Sequence, residues 1–359
     1  MFNAGRLVIA RKRRQFTSKA LAEKTGLSPV TITRLEKGEN QPDDVTIERL
    51  ASALNYPIEF FSADDPDEID TESVSFRSLS KMSAKERGAA TSAASLGFQL
   101  NKWVETKFDL PMPDLLDLGH ESNPSVAARM MRQHWKIGDK PIANLLALLE
   151  TKGIRVFSLS ENTASVDAFS FWKSERPFIF LNNFKSSERS IFDAAHELGH
   201  LVLHRHAGPK PSKPAEKEAN EFAASFLMPS NDVLANMPRS ISSSVIIARK
   251  KRWRVSAMAL AYRLHQLNLM TEWQYKSVCI DLGRRGYRAG EPEGLERETS
   301  QVWKKILAQL WTEKVTKDQI AQAISLPVDE LEALIHGVTI DPQTKNARVD
   351  PKFKLRAIC

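Results

Sequence analysis

The stretch that most restricts how this 359-residue chain can fold is FDAAHELGHLVLH, residues 192–204, because it asks one helix to bury two imidazoles and a carboxylate. His196, Glu197 and His200 stand in the spacing H-E-x-x-H. Residues four apart on a helix share a face, so both imidazoles can bind one Zn²⁺ while Glu197 reaches a water on that metal. Ala194, Ala195, Leu198, Leu201, Val202 and Leu203 make the remainder of the stretch apolar. Such a helix is driven inward, where its polar side chains need partners, and a metal is one.

A catalytic zinc takes three protein ligands and keeps a fourth position open. Cysteine does not offer the third: Cys279 and Cys359 are the only two, too few for a disulfide framework or a thiolate cluster. The remaining candidates are His204, His206, Glu216, Glu218 and Glu221. His204 lies one further turn along the same helix, and three ligands in one straight row diverge too far for tetrahedral geometry, so it reads as a packing residue or a support for a ligand. A second helix can close the angle instead. In EKEANEFAASFLMP, Glu216 is in line with Ala219 and Ala223, whereas Glu218 is in line with Phe222, and periodicity alone leaves both open.

The first sixty residues are of another kind. Arg6, Arg11, Lys12, Arg13, Arg14, Lys19, Lys24, Arg34 and Lys37 crowd them, within a chain of net charge +7, and the acidic run SADDPDEIDTES follows at 62–73. That distribution favours contact with a polyanion. In TSKALAEKTGLSPVTITRLEKGE, Thr17 or Ser18 can cap one helix, Gly26 supplies the turn, and Ser28-Pro29 opens a second helix with Ile32 and Leu35 inward. This is a helix-turn-helix pattern. Its second helix would lie in the major groove of double-stranded DNA, with Val30, Thr31 and Arg34 at base edges. Ser18, Lys24, Lys37 and Asn40 would lie near phosphates, and Ser28 at the helix start joins this DNA-facing set.

At this length, with 42% hydrophobic residues, several units are expected: a multidomain, mainly α chain with one α+β part. The reading is a helix-turn-helix domain over 1–61, an acidic linker over 62–82, a helical connector over 83–123, a metal-binding domain over 124–265 and a helical region over 266–359. Within the fourth, IRVFSLS, DAFSFW and FIFLNN read as three short strands backing the H-E-x-x-H helix. Two more helix pairs, at 245–270 and 316–337, share the helix-turn-helix outline, but paired helices are common in α-rich proteins and are not read here as DNA contacts. No stretch reaches eighteen uninterrupted apolar residues, and the N-terminal apolar run precedes its basic cluster, the wrong order for a secretory signal. A cytoplasmic protein without a membrane partner is expected.

LAEKTGLSPVTITRLEKGENQPDDVTIERLASALN resembles the Cro/cI (xenobiotic-response-element) class of DNA-binding domains over about the first sixty residues. The resemblance implies a five-helix domain, an operator as partner, and a second copy of the chain to span two half-sites. AAHELGHLVLH followed by EKEANEFAASFLMP resembles the ImmA/IrrE metallopeptidases, from about 125 to 265. That resemblance implies a zincin-like domain, Zn²⁺ held by His196, His200 and Glu216, and Glu197 as general base. It also implies a protein substrate, a Cro/cI-like repressor or an antitoxin. Two functional readings follow: a DNA-binding regulatory peptidase, or a transcriptional regulator whose peptidase-like domain senses or dimerises without turnover.

Overall fold

The computed structural model describes residues 1–67, 83–159, 168–182, 184–206, 213–339 and 356–357. Most of the expected acidic linker, residues 68–82, lies outside the described residues, as do Ser160, Asp167 and Asn183 at the ends of the three expected strands, residues 207–212, and Cys359.

Four α-helices open the chain: α1 (Ala4–Arg13), α2 (Ser18–Thr25), α3 (Pro29–Glu36) and α4 (Asp44–Leu54), followed by a 3-10 turn over Ile58–Ser62 that takes the place of a fifth. Side-chain oxygens of Asn3, Thr17, Ser28 and Asp43 accept from the first backbone N–H groups of the four helices, groups that would otherwise lack partners. Gly26 sits between α2 and α3 at φ 69°. Then come α5 (Ala84–Lys107), β1 (Phe108–Asp109), α6 (Pro124–His134), α7 (Leu145–Thr151), β2 (Arg155–Leu159), β3 (Ala168–Lys173), β4 (Arg176–Asn182), α8 (Ser187–Leu203) and α9 (Lys213–Leu227). The rest is α10 (Ser230–Asn236), α11 (Ser243–Trp253), α12 (Ala257–Gln266), α13 (Glu272–Arg284), α14 (Gln301–Thr312), α15 (Lys317–Ala323), α16 (Val328–Ile335) and β5 (Arg356–Ala357). The connector expected to be helical is helical only to Lys107; Leu110–Asn123 forms no helix, because Pro111 and Pro113 remove donors and Gly119 loosens the chain. The short α10, which starts after Pro229, was not anticipated.

β4 is central, parallel to β2 and antiparallel to β3. Alternation gives the sheet two faces of different chemistry. Phe157, Phe169, Phe171, Phe178 and Phe180 stack on one another, with ring centroids of neighbours 5.0–6.3 Å apart. α5 crosses this aromatic face: the Phe98 ring meets Phe171 and Phe178 edge-on, and a Cβ at Gly97 would stand 2.8 Å from the Phe180 ring. The other face, carrying Ser170, takes α8. The site helix is thus wedged between the sheet and α9. No described helix is long and apolar enough to cross a membrane.

Candidate metal centre

α8 begins at the Ser186 cap and buries His196, Glu197 and His200, each under 5% exposed. α9 runs beside it at short range, since a Cβ on Gly199 would lie 3.3 Å from the Ala219 backbone and 3.1 Å from the Phe222 ring. Glycine inside the motif therefore sets how near α9 can bring its own side chains.

Two side chains of α8 and one of α9 converge. His196 Nε2 and His200 Nε2 are 3.0 Å apart, and Glu216 places one carboxylate oxygen 3.4 Å from the first and the other 3.3 Å from the second. Ligands about 2.1 Å from a tetrahedral zinc stand about 3.4 Å from one another, so two imidazoles and a carboxylate at these separations fit that ion. Proton positions fit as well. His196 Nδ1 lies 3.2 Å from the side-chain oxygen Oδ1 of Asn220, which can only accept, so the ring proton sits on Nδ1 and Nε2 keeps its lone pair. His204 Nε2 donates to Glu218 (2.9 Å), leaving His204 Nδ1 to accept from His200 Nδ1 (2.9 Å), and His200 Nε2 is again a lone pair facing the cluster. Burial lowers the His200 pKa to about 4, which keeps that ring neutral.

Glu197 is not part of this triangle. Its Oε2 accepts from the Ser170 hydroxyl at 2.6 Å, across the interface between α8 and β3. Neither Ser170 nor Asn220 was singled out from sequence. Asn220 sits inside the EKEANEF stretch, and Ser170 is the one polar residue of AFSF, at the alternate position that faces the helix rather than the phenylalanine stack.

The other sequence candidates lie elsewhere. His206 pairs with Asp117 (2.7 Å), Glu221 accepts from Ser125 on α6 (3.1 Å), and Glu218, nearly half exposed, meets His204.

On the N-terminal module, Val30, Arg34, Lys37 and Asn40 are exposed along one side of α3 and its exit. Ser28 and Thr31 bond each other through their hydroxyls (2.8 Å), Ser28 thereby also capping α3, and Ser18 is half-buried at the start of α2. The Lys24 ammonium lies over the Phe16 ring at 5.0 Å. The basic run is less free than its composition suggests: Arg11 pairs with Glu36, and Arg13 and Arg14 reach carboxylates of α16. Those arginines form internal ion pairs, whereas α3 keeps its cations outward.

Residues 149–265, which contain β2 to β4 and the His196–His200–Glu216 cluster, match the family model of the IrrE N-terminal-like domain, peptidase M78. Residues 7–61 match the model of the helix-turn-helix family, and precede it in the chain. No curated protein matches the chain.

Proposed function

We propose that the chain is a DNA-binding regulatory zinc metallopeptidase that hydrolyses a peptide bond in a Cro/cI-like repressor or an antitoxin and so relieves repression. The observation that carries this reading is the convergence of His196, His200 and Glu216, three lone-pair donors, beside a buried Glu197 that belongs to another hydrogen-bond system. A Zn²⁺ bound there supplies a Lewis acid and an acidified water. His196 and His200 present Nε2 to it, oriented by Asn220 and His204, and Glu216 neutralises part of its charge. The Glu197 carboxylate, held by Ser170, takes one proton and returns it to the leaving nitrogen. The N-terminal module brings this centre to double-stranded operator DNA through Arg34, Val30 and Thr31, in the cytoplasm, where two copies of the chain would span two half-sites.

Replacing Glu197 by Gln tests the central assignment, because the side chain is a base in this scheme and not a ligand. The variant should keep stoichiometric zinc and lose about 10²- to 10⁴-fold in cleavage of a repressor encoded beside the gene. Loss of zinc, or cleavage at the wild-type rate, would reject the role of Glu197. A zinc-loaded wild-type chain that cuts none of its neighbouring repressors while still binding their operator would favour the regulator without turnover.

A further inference from the structure

Residues 301–339 carry a second copy of the first three helices, displaced by 299 positions throughout. Thr17 and Thr316 cap the second helix of each copy. Gln15 and Lys314 precede it at φ 56° and 60°, and Gly26 and Ser325 follow it at φ 69° and 52°. The same backbone bonds recur at that displacement: Phe16 N to Arg11 O and Val315 N to Leu310 O (3.0 and 2.8 Å), Leu27 N to Ala22 O and Leu326 N to Ala321 O (3.1 and 2.8 Å), Ile32 N to Ser28 O and Leu331 N to Pro327 O (3.1 and 3.3 Å). Buried Leu21, Ala22, Ile32 and Leu35 are matched by buried Ile320, Ala321, Leu331 and Leu334. α14, α15 and α16 therefore make a helix-turn-helix of their own.

Its recognition helix has the wrong charge for DNA. Val30, Thr31 and Arg34 of α3 correspond to Asp329, Glu330 and Ala333 of α16. The first turn of α3 holds no acid, whereas that of α16 holds two, which suits a helix N-terminus and repels a phosphate backbone. The same positions instead meet the back of the N-terminal module. Glu330 receives Arg13 at 2.8 Å, Arg14 at 3.2 Å and the Tyr56 hydroxyl at 2.9 Å, while Arg14 also pairs with Asp329 at 2.8 Å. Glu330 and Arg13 are 2% and 6% exposed, so this is a desolvated, multiply bonded ion cluster rather than a surface pair. On its other side the copy is fixed to the metal-binding part. The Glu150 carboxylate of α7 accepts from Gln301 N (2.8 Å) and Val302 N (3.2 Å), and Trp303 donates to the Val156 carbonyl of β2 (3.4 Å).

We propose that the recognition face of this second helix-turn-helix is a protein-binding surface, that its partner is the chain's own N-terminal module, read through Arg13, Arg14 and Tyr56, and that it joins the DNA-facing helix and the metal centre into one rigid unit. The proposal does not depend on metal binding or turnover. Pulsed electron spin resonance on the full chain tests it, with both cysteines changed to serine and spin labels at Glu23→Cys on α2 and Ser277→Cys on α13, both exposed positions. The parent should give a single narrow distance distribution. Glu330→Arg and Arg13→Glu should each broaden it severalfold, and the two together should narrow it again. If Glu330→Arg loses helical circular dichroism, Glu330→Gln, which keeps the shape but loses the charge, is read in its place and must broaden the distribution. Single variants that leave the distribution unchanged, or a double variant no narrower than either single, would overturn the proposal.

Discussion

His196 and His200 are 2% and 4% exposed, whereas Val30 at the start of α3 is 60% exposed, and the two regions meet their polar requirements in opposite ways. The buried corner provides its own partners: Asn220 for one imidazole, His204 and Glu218 for the other, Ser170 for Glu197. It is pre-organised, so changing one atom should disturb a defined hydrogen bond. The exposed helix leaves Arg34 to water and gives Lys37 only a loose pairing with Glu39 at 3.8 Å, and their energetic meaning waits on a partner. The lesson is one of leverage. A substitution in the corner should act on a single property by a large factor, and one on α3 by a small factor that depends on which DNA is offered.

The sharpest way to break this contrast is the pair Glu216 and Glu218. Two residues apart on a helix point about 200° apart, and only Glu216 turns its carboxylate to the imidazoles, while Glu218 bonds His204 from the solvent side. Glu216→Ala should lower zinc affinity by more than about 100-fold, beyond what loss of an outer partner does. Glu218→Ala, which removes the far end of a relay, should stay within about 10-fold. Zinc titration against a competing chelator separates them, and the reverse order would mean that the third donor is misassigned. Next in size is Asn220→Ala, which frees His196 Nδ1 and should cost about 10- to 100-fold in zinc affinity with no change in fold. An unchanged affinity would show that the ring is held by packing alone.

These residues also mark how far the sequence could be read. Helical spacing is local and fixed by geometry, so FDAAHELGHLVLH was enough to put two imidazoles on one face; the same rule says that Glu216 and Glu218 point apart, but it left open which of them faces the imidazoles, and only the family resemblance chose Glu216. The helix ends were legible for the same reason: Thr17, Ser28 and Pro214 act on backbone within a few residues. Contacts between distant elements were not. Ser170 reaches Glu197 only because β3 is laid against α8, and nothing near residue 170 announces that pairing. Arg13 and Arg14 read as part of a DNA footprint because their partners, Asp329 and Glu330, lie more than three hundred residues away. Charge composition counts cations without knowing which are already matched.

The smallest effects belong to α3, and they sharpen the comparison rather than break it. Arg34 is exposed in the last turn of α3, where a guanidinium can address a base edge with two parallel bonds; Arg34→Ala should cost about 1–3 kcal/mol on the specific operator and little on random duplex. Lys37 caps the C-terminal end of the same helix, 63% exposed and only loosely paired with Glu39 at 3.8 Å, so its ammonium is a mobile point charge suited to phosphate. Lys37→Ala should therefore weaken specific and random DNA alike and reduce the slope of log affinity against log salt by about one ion. Binding measured for both variants on both duplexes at several salt concentrations distinguishes the roles. Equal losses on the two DNAs for Arg34→Ala would make it a phosphate contact too. The exposed helix would then supply only electrostatic affinity, and base readout would have to come from Val30 and Thr31, whose hydroxyl is already bonded to Ser28.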